Sequence, residues 1–144
     1  MMTRYLPDVN ILIHALRQNS PAHIPCRHWL EQCTTNGHTL LYCELIEVAF
    51  IRICTLPRLA FAPMSITLAF WQSYCNYPFS SRIVPNANHA NLFKNYIATL
   101  NLVGNDVNDA WLAALAVDHH ATLVSTDVGF GRFAGLDWVN PIKK

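Results

Sequence analysis

No run of about eighteen consecutive apolar residues occurs in this chain, although 52% of its 144 residues are hydrophobic, so a transmembrane helix is excluded. The opening MMTRYLPDVN lacks the long apolar core and small-residue cleavage site of a secretory leader. No C-x-x-C pair joins the five cysteines, Cys26, Cys33, Cys43, Cys54 and Cys75, and their number is odd. They read as reduced core residues of a cytoplasmic protein, not as a disulfide framework or a zinc site. Charge is scarce as well: 10 Lys and Arg stand against 9 Asp and Glu, for a net charge of +1. That excludes a large basic surface and tight unspecific binding to long duplexes. Arg17, Arg27, Arg52, Arg82, Arg132, Lys143 and Lys144 could form a local basic groove, but each alone reads as an ordinary solvated residue. Gly129 and Gly131 make no phosphate loop, because no Gly-Lys-Ser follows. Repeats, low-complexity tracts and linkers are absent too, so residues 1–144 read as a single domain.

What is present is an alternation of short apolar runs with longer helical patterns. Strands are expected at 4–7, 38–42, 82–84, 121–125 and 137–139. Helices are expected at 9–17, 23–35, 44–54, 65–76, 88–100 and 106–119, with Ser65 capping the fourth and Asn105 or Asp106 near the start of the last. The order implies an α/β fold, a sandwich of helices around a mostly parallel central sheet.

The few acids are placed informatively. Asp8 closes RYLPD, Glu47 is embedded in LLYCELIEVAFIRI, Asp109 opens DAWLAALAV, and Asp127 closes ATLVSTD. A carboxylate beside a buried element costs free energy unless something pairs with it. Four such acids far apart in sequence point to one shared partner, most simply a divalent cation. Asp8 and Asp127 each follow a strand, at the edge where parallel sheets bind ligands, and Asp109 and Glu47 near helix starts can converge on the same crevice. Clustered carboxylates repel one another, which Mg²⁺ or Mn²⁺ relieves. No Ser or Cys triad competes, so the chemistry indicated is phosphodiester hydrolysis by activated water. Asp8, Asp109 and Asp127 read as metal ligands, and Glu47 as a holder of a second ion or an orienter of water. Asn10 and Ser125 are placed to hydrogen-bond and fix the carboxylates.

These segments resemble a known family. Leu-Pro-Asp-Val-Asn-Ile-Leu-Ile at 6–13 resembles the opening strand of PIN-domain proteins, and CELIEVAFIRI at 43–53 the second acidic segment of VapC-type toxins. GNDVNDAWLAALA at 104–116 and LVSTDVGFGRF at 123–133 resemble the third and fourth motifs. The order and spacing match over nearly the whole chain. The family pattern favours Glu47 over Glu44, since the acid precedes Val48-Ala49-Phe50-Ile51-Arg52. It likewise favours Asp109 over Asp106, through Asn108-Asp109-Ala110, and leaves Asp106 as a helix N-cap or a supporting residue of the metal site. The resemblance implies a PIN-like fold and a metal-dependent endoribonuclease. It further implies the toxin half of a toxin–antitoxin pair, commonly a homodimer inhibited by a cognate antitoxin.

Two other functions compete. A PIN-like module could bind RNA or a protein without cleaving, although a binder gains little from an acidic cavity. A phosphatase with an Asp nucleophile would want a second acid where Asn10 stands and a downstream Lys that has no evident place. The seven histidines show no clear metal-site spacing. Trp111 could stack on a nucleobase but reads better as core, and the cluster Phe70, Trp71, Tyr74 and Tyr77 reads as packing within the monomer or as a dimer or antitoxin surface.

Overall fold

In the computed structural model, residues 2–59 and 62–142 are described. Lys143 and Lys144 lie outside the described residues. Strand β1 (Arg4–Pro7) leads into helices α1 (Val9–Leu16) and α2 (His23–Thr35), and then β2 (Thr39–Tyr42). Helices α3 (Glu44–Cys54) and α4 (Met64–Asn76) precede β3 (Ser80–Arg82), and α5 (His89–Leu100) and α6 (Asp106–Asp118) precede β4 (Thr122–Val124). A single 3₁₀ turn at Val128–Arg132 leads to β5 (Asp137–Val139). Every strand pair is parallel, in the order β3-β2-β1-β4-β5. Parallel strands need crossovers, and the helices supply them.

Neighbouring residues on β4 show how the sheet is covered. Leu123 packs into the large hydrophobic cluster with Leu6, Phe50 and Leu115, whereas Val124 joins a second cluster with Ile11, Ala15, Ala22 and Cys26. Successive strand residues point to opposite faces, so both faces are buried under helices. This is why the strands read as continuous apolar runs. In α6, Ala110, Ala113, Ala114 and Ala116 are all buried, and their small side chains let the helix lie close to its neighbours. Among the described residues, no helix is long and apolar enough to cross a membrane.

The expected elements recur, with several ends shifted by one residue, and three points differ in kind. Strand β3 lies at 80–82 and not at 82–84, because Ser80, Ser81 and Arg82 pair with Leu40, Leu41 and Tyr42 through the backbone. An edge strand tolerates such polar residues. Helix α4 starts at Met64 after Pro63, since the Thr67 N–H bonds to the Pro63 carbonyl (3.1 Å), so Ser65 is not its cap. Asp106 is the first residue of α6 and makes no cap bond; Asn105 holds the cap position.

Phe70, Trp71 and Tyr74 pack with Phe50 and Tyr42 inside the monomer. Within that group the buried Tyr74 hydroxyl donates to the Leu41 carbonyl at 2.8 Å, tying α4 to β2. Tyr74→Phe is expected to lower stability by about 1 kcal/mol. Urea unfolding should show a lower midpoint with an unchanged slope.

Candidate active site

The sheet order places a topological switch point between β1 and β4: from β1 the chain builds outward through β2 to β3, then returns to β4 on the other side. Ligands of open parallel sheets bind beyond the strand ends at such a point. Asp8 and Asp127 follow these two adjacent strands. The Asp8 backbone N–H donates to the Val124 carbonyl at 2.8 Å, which holds the two strand ends together.

Asp8 caps α1, its Oδ1 accepting the Val9 N–H at 2.7 Å. Its Oδ2 accepts the Ser125 hydroxyl at 3.0 Å, while Ser125 Oγ accepts the Asp127 N–H at 3.0 Å. One fully buried serine therefore ties together two acids that are far apart in sequence. Asp127 turns the chain into the 3₁₀ segment, its Oδ1 accepting the Gly129 N–H at 2.8 Å. A Cβ at position 129 would stand 3.1 Å from that same oxygen, so glycine keeps the carboxylate uncrowded.

Asp109, in the first turn of α6, lines the same cavity of about 300 Å³ as Asp8 and Asp127. Burial raises the Asp109 carboxyl from 3.8 to about 6, with the charges of Asp8 and Asp127 adding to the rise and Arg132 opposing it. Burial also raises Asp8, against the hydrogen bonds from Ser125 and Val9, and the charge of Asp127 raises it further. Mutual repulsion of this kind marks a cavity that prefers a cation. Among the described residues no thiol or imidazole lines it, and the carboxylates are hard oxygen donors, so the donor set fits Mg²⁺ or Mn²⁺. Among the described residues no three His, Cys, Asp or Glu side chains are gathered into a ready coordination cluster. The three aspartates border a shared space and do not close on a point.

Glu47, expected as a fourth acid of the crevice, is not among the residues that line this cavity. Leu45, Ala49 and Arg52 form the face of α3 that bounds the cavity. Glu47, two residues on from Leu45, is turned about 200° around the helix. Its Oε2 accepts the Trp71 indole N–H at 2.8 Å, and its Oε1 stands 3.5 Å from Arg82. Glu44 meets Arg82 at 2.7 Å. Asn10 lines the cavity but makes no hydrogen bond to a carboxylate among the described residues.

Sequence reasoning missed Arg132 as a partner of the acids. It stands 3.3 Å from Asp106 and 3.6 Å from Asp109, brought there by the turn after β4. Asp106 is therefore an ion-pair residue and not a side-chain cap. Asn105 and Asn108 also line the cavity, one helical turn apart, and only the neighbouring Asp109 could have drawn attention to them. The cysteines are outside this chemistry: burial pushes the Cys26 and Cys54 thiols up to about 11 and the Cys33 thiol to about 12.

Comparison with known proteins agrees with this geometry. The PIN domain family model matches residues 5–136. Ribonuclease VapC37 of Mycobacterium tuberculosis is 32% identical over 136 residues, covering 93% of this chain and 94% of its own. Ribonuclease VapC43 of the same organism is 33% identical over 138 residues, covering 94% and 93%. Among solved structures, VapBC-1 from nontypeable Haemophilus influenzae gives a TM-score of 0.72 at 18% identity, covering 98% of this chain and 100% of that one. At that identity the likeness speaks for the fold alone. The chain belongs to the PIN-domain family and has VapC ribonucleases among its relatives.

Proposed function

We propose that this protein is the toxin of a toxin–antitoxin pair, an endoribonuclease that hydrolyses a phosphodiester bond of structured RNA in the cytoplasm. The observation that carries this reading is the joining of Asp8, Asp109 and Asp127 at one switch-point cavity, where burial raises the carboxyls of Asp8 and Asp109 from their ordinary values. Relatives named ribonucleases, aligned along nearly the whole chain, support it.

Asp8, Asp109 and Asp127 would hold Mg²⁺ or Mn²⁺. When bound, that ion supplies acidity to water and offsets charge developing on a phosphoryl oxygen. The chain's own residues do the rest. Ser125 holds Asp8 and the Asp127 backbone in register, so that the donors are set before substrate arrives. Arg132 limits the repulsion around Asp109. Glu47 accepts from Trp71 and stands beside Arg82, outside the lining of this cavity. The partners are an RNA substrate, a cognate antitoxin whose tail covers the acidic cleft, and a second copy in a homodimer.

A cleavage assay on structured RNA tests the reading. Wild-type protein in chelator should leave the RNA intact, and added Mn²⁺ or Mg²⁺ should restore cutting. RNA binding without cleavage under every metal condition would support a non-cleaving module instead. A trapped aspartyl-phosphate from a small phosphoester would support the phosphatase.

A further inference from the structure

A cavity with three carboxylates must still accept a phosphodiester, which is itself an anion. The structure sorts the arginines by whether they are free to do this. Arg27 pairs with Glu31, Arg82 with Glu44 and Glu47, and Arg132 with Asp106 and Asp109. Arg17 donates to Asn19 and lines a different cavity, beside Pro63 and Ile66. Arg52 alone combines two properties among the described residues: it lines the carboxylate cavity and has no ion pair.

Its position follows from helix geometry. Leu45, Ala49 and Arg52, at spacings of four and three, share the α3 face that walls the cavity. Asp8, Asp109 and Asp127 belong to the other walls, on the ends of β1 and β4 and on α6. Nor does Arg52 relieve the acids: the influences on Asp8 are burial, Ser125, Val9 and the negative charge of Asp127, and none is a cation. Its guanidinium is thus uncommitted. The side-chain amides of Asn105 and Asn108 on the facing helix make no hydrogen bond among the described residues either. One side of the cavity is built to hold a cation, and the other offers unspent donors to an anion. A guanidinium fork matches two phosphate oxygens, and a fixed positive charge there offsets the repulsion between carboxylates and strand.

We propose that Arg52 is the phosphate-binding residue of this site, donating to non-bridging oxygens of the RNA backbone and holding the strand across the aspartates. This rests on the ribonuclease reading above and assigns the substrate contact that the acids cannot make.

The test is RNA binding by the intact chain in chelator, where no cleavage occurs, followed by fluorescence anisotropy over a range of KCl. Wild type, Arg52→Gln, Arg52→Lys and Arg27→Gln are compared, the last removing an exposed arginine on α2. Arg52→Gln should raise Kd about tenfold at low salt and reduce the slope of log K against log salt by about 0.7–0.9. Arg52→Lys should keep the slope but recover only part of the affinity, since it lacks the fork. Arg27→Gln should match wild type. With Mn²⁺ present, Arg52→Gln should raise KM and leave kcat within about threefold. Arg52 is exposed, so thermal melts of the variants should coincide with wild type. Wild-type Kd and slope in Arg52→Gln, alongside RNA cleavage by wild type, would overturn this assignment and leave the ribonuclease reading intact. An equal loss in Arg27→Gln would also overturn it, as unspecific charge. Failure of wild type both to bind and to cleave would remove the assignment and the reading together.

Discussion

Replacing Asp109 by Asn is expected to cut RNA cleavage about a thousandfold and, in the same protein without metal, to raise the melting temperature at pH 7.5. The two effects have opposite signs because one carboxylate serves both. For cleavage, Asn keeps the shape but loses the charge that, in the reading proposed above, would hold a divalent cation. Loss of a group acting directly on the reaction centre commonly costs about 10²–10³ in rate. For stability, the charged carboxylate is a burden. It is partly buried, close to Asp8 and Asp127, and its pKa is raised from 3.8 to about 6. That rise corresponds to at most about 3 kcal/mol, and water reaching the group lowers it to about 1–2 kcal/mol.

The pH dependence has a definite sign. Below the unfolded value of 3.8, Asp109 is protonated in both states and costs nothing. As pH rises through the interval up to about 6, the unfolded chain ionises before the folded one, and stability falls. Above about 6 the loss is complete and constant. Asn cannot ionise. The variant should therefore melt about 3–6 °C above wild type at pH 7.5 and level with it near pH 3.5. Saturating Mn²⁺ should close the gap at pH 7.5, because on the proposed reading it would stabilise wild type by binding the folded state alone. A variant that melts below wild type at pH 7.5 in chelator would contradict a shared acidic cavity.

Ser125→Ala is expected to lower cleavage about 10–100-fold at limiting Mn²⁺, with recovery as Mn²⁺ is raised. The serine touches no reacting atom in this reading. It donates to Asp8 and accepts from the Asp127 backbone, so its removal loosens both aspartate-bearing strand ends at once. Loss of such a supporting group typically costs about 10–100-fold in metal affinity or activity. The Mn²⁺ dependence separates the two variants. A weakened site refills at high Mn²⁺, whereas Asp109→Asn lacks a ligand and should not recover. Ser125→Ala activity that stays low at every Mn²⁺ concentration would show that the hydroxyl acts otherwise.

Much of this arrangement was open to reading along the chain. Asp8 and Asp127 stand immediately beyond apolar strands, and parallel-sheet topology sends such positions to one edge whatever the side-chain details. Asp109 sits in a helix's first turn beside that edge. Ser125 lies two residues before Asp127, on the same side of the strand, and its support of a carboxylate was expected; that the carboxylate is Asp8, on the neighbouring strand, was not. Asn10 had the right proximity in sequence and yet bonds to neither acid.

Local pattern settles the α/β alternation, the strand-end acids and the core, because hydrophobic periodicity and the chain's own connectivity act over a few residues. It does not settle how a helix is rotated against the sheet. Glu47 and Arg52 lie on the same helix, and packing of Ile46 and Phe50 into the core turns one toward Trp71 and Arg82 and the other into the cavity. Arg132 reaches Asp109 through a turn with no periodic signature. Which charges meet is a matter of long-range packing, where a rotation of half a helical turn exchanges a ligand for a wall.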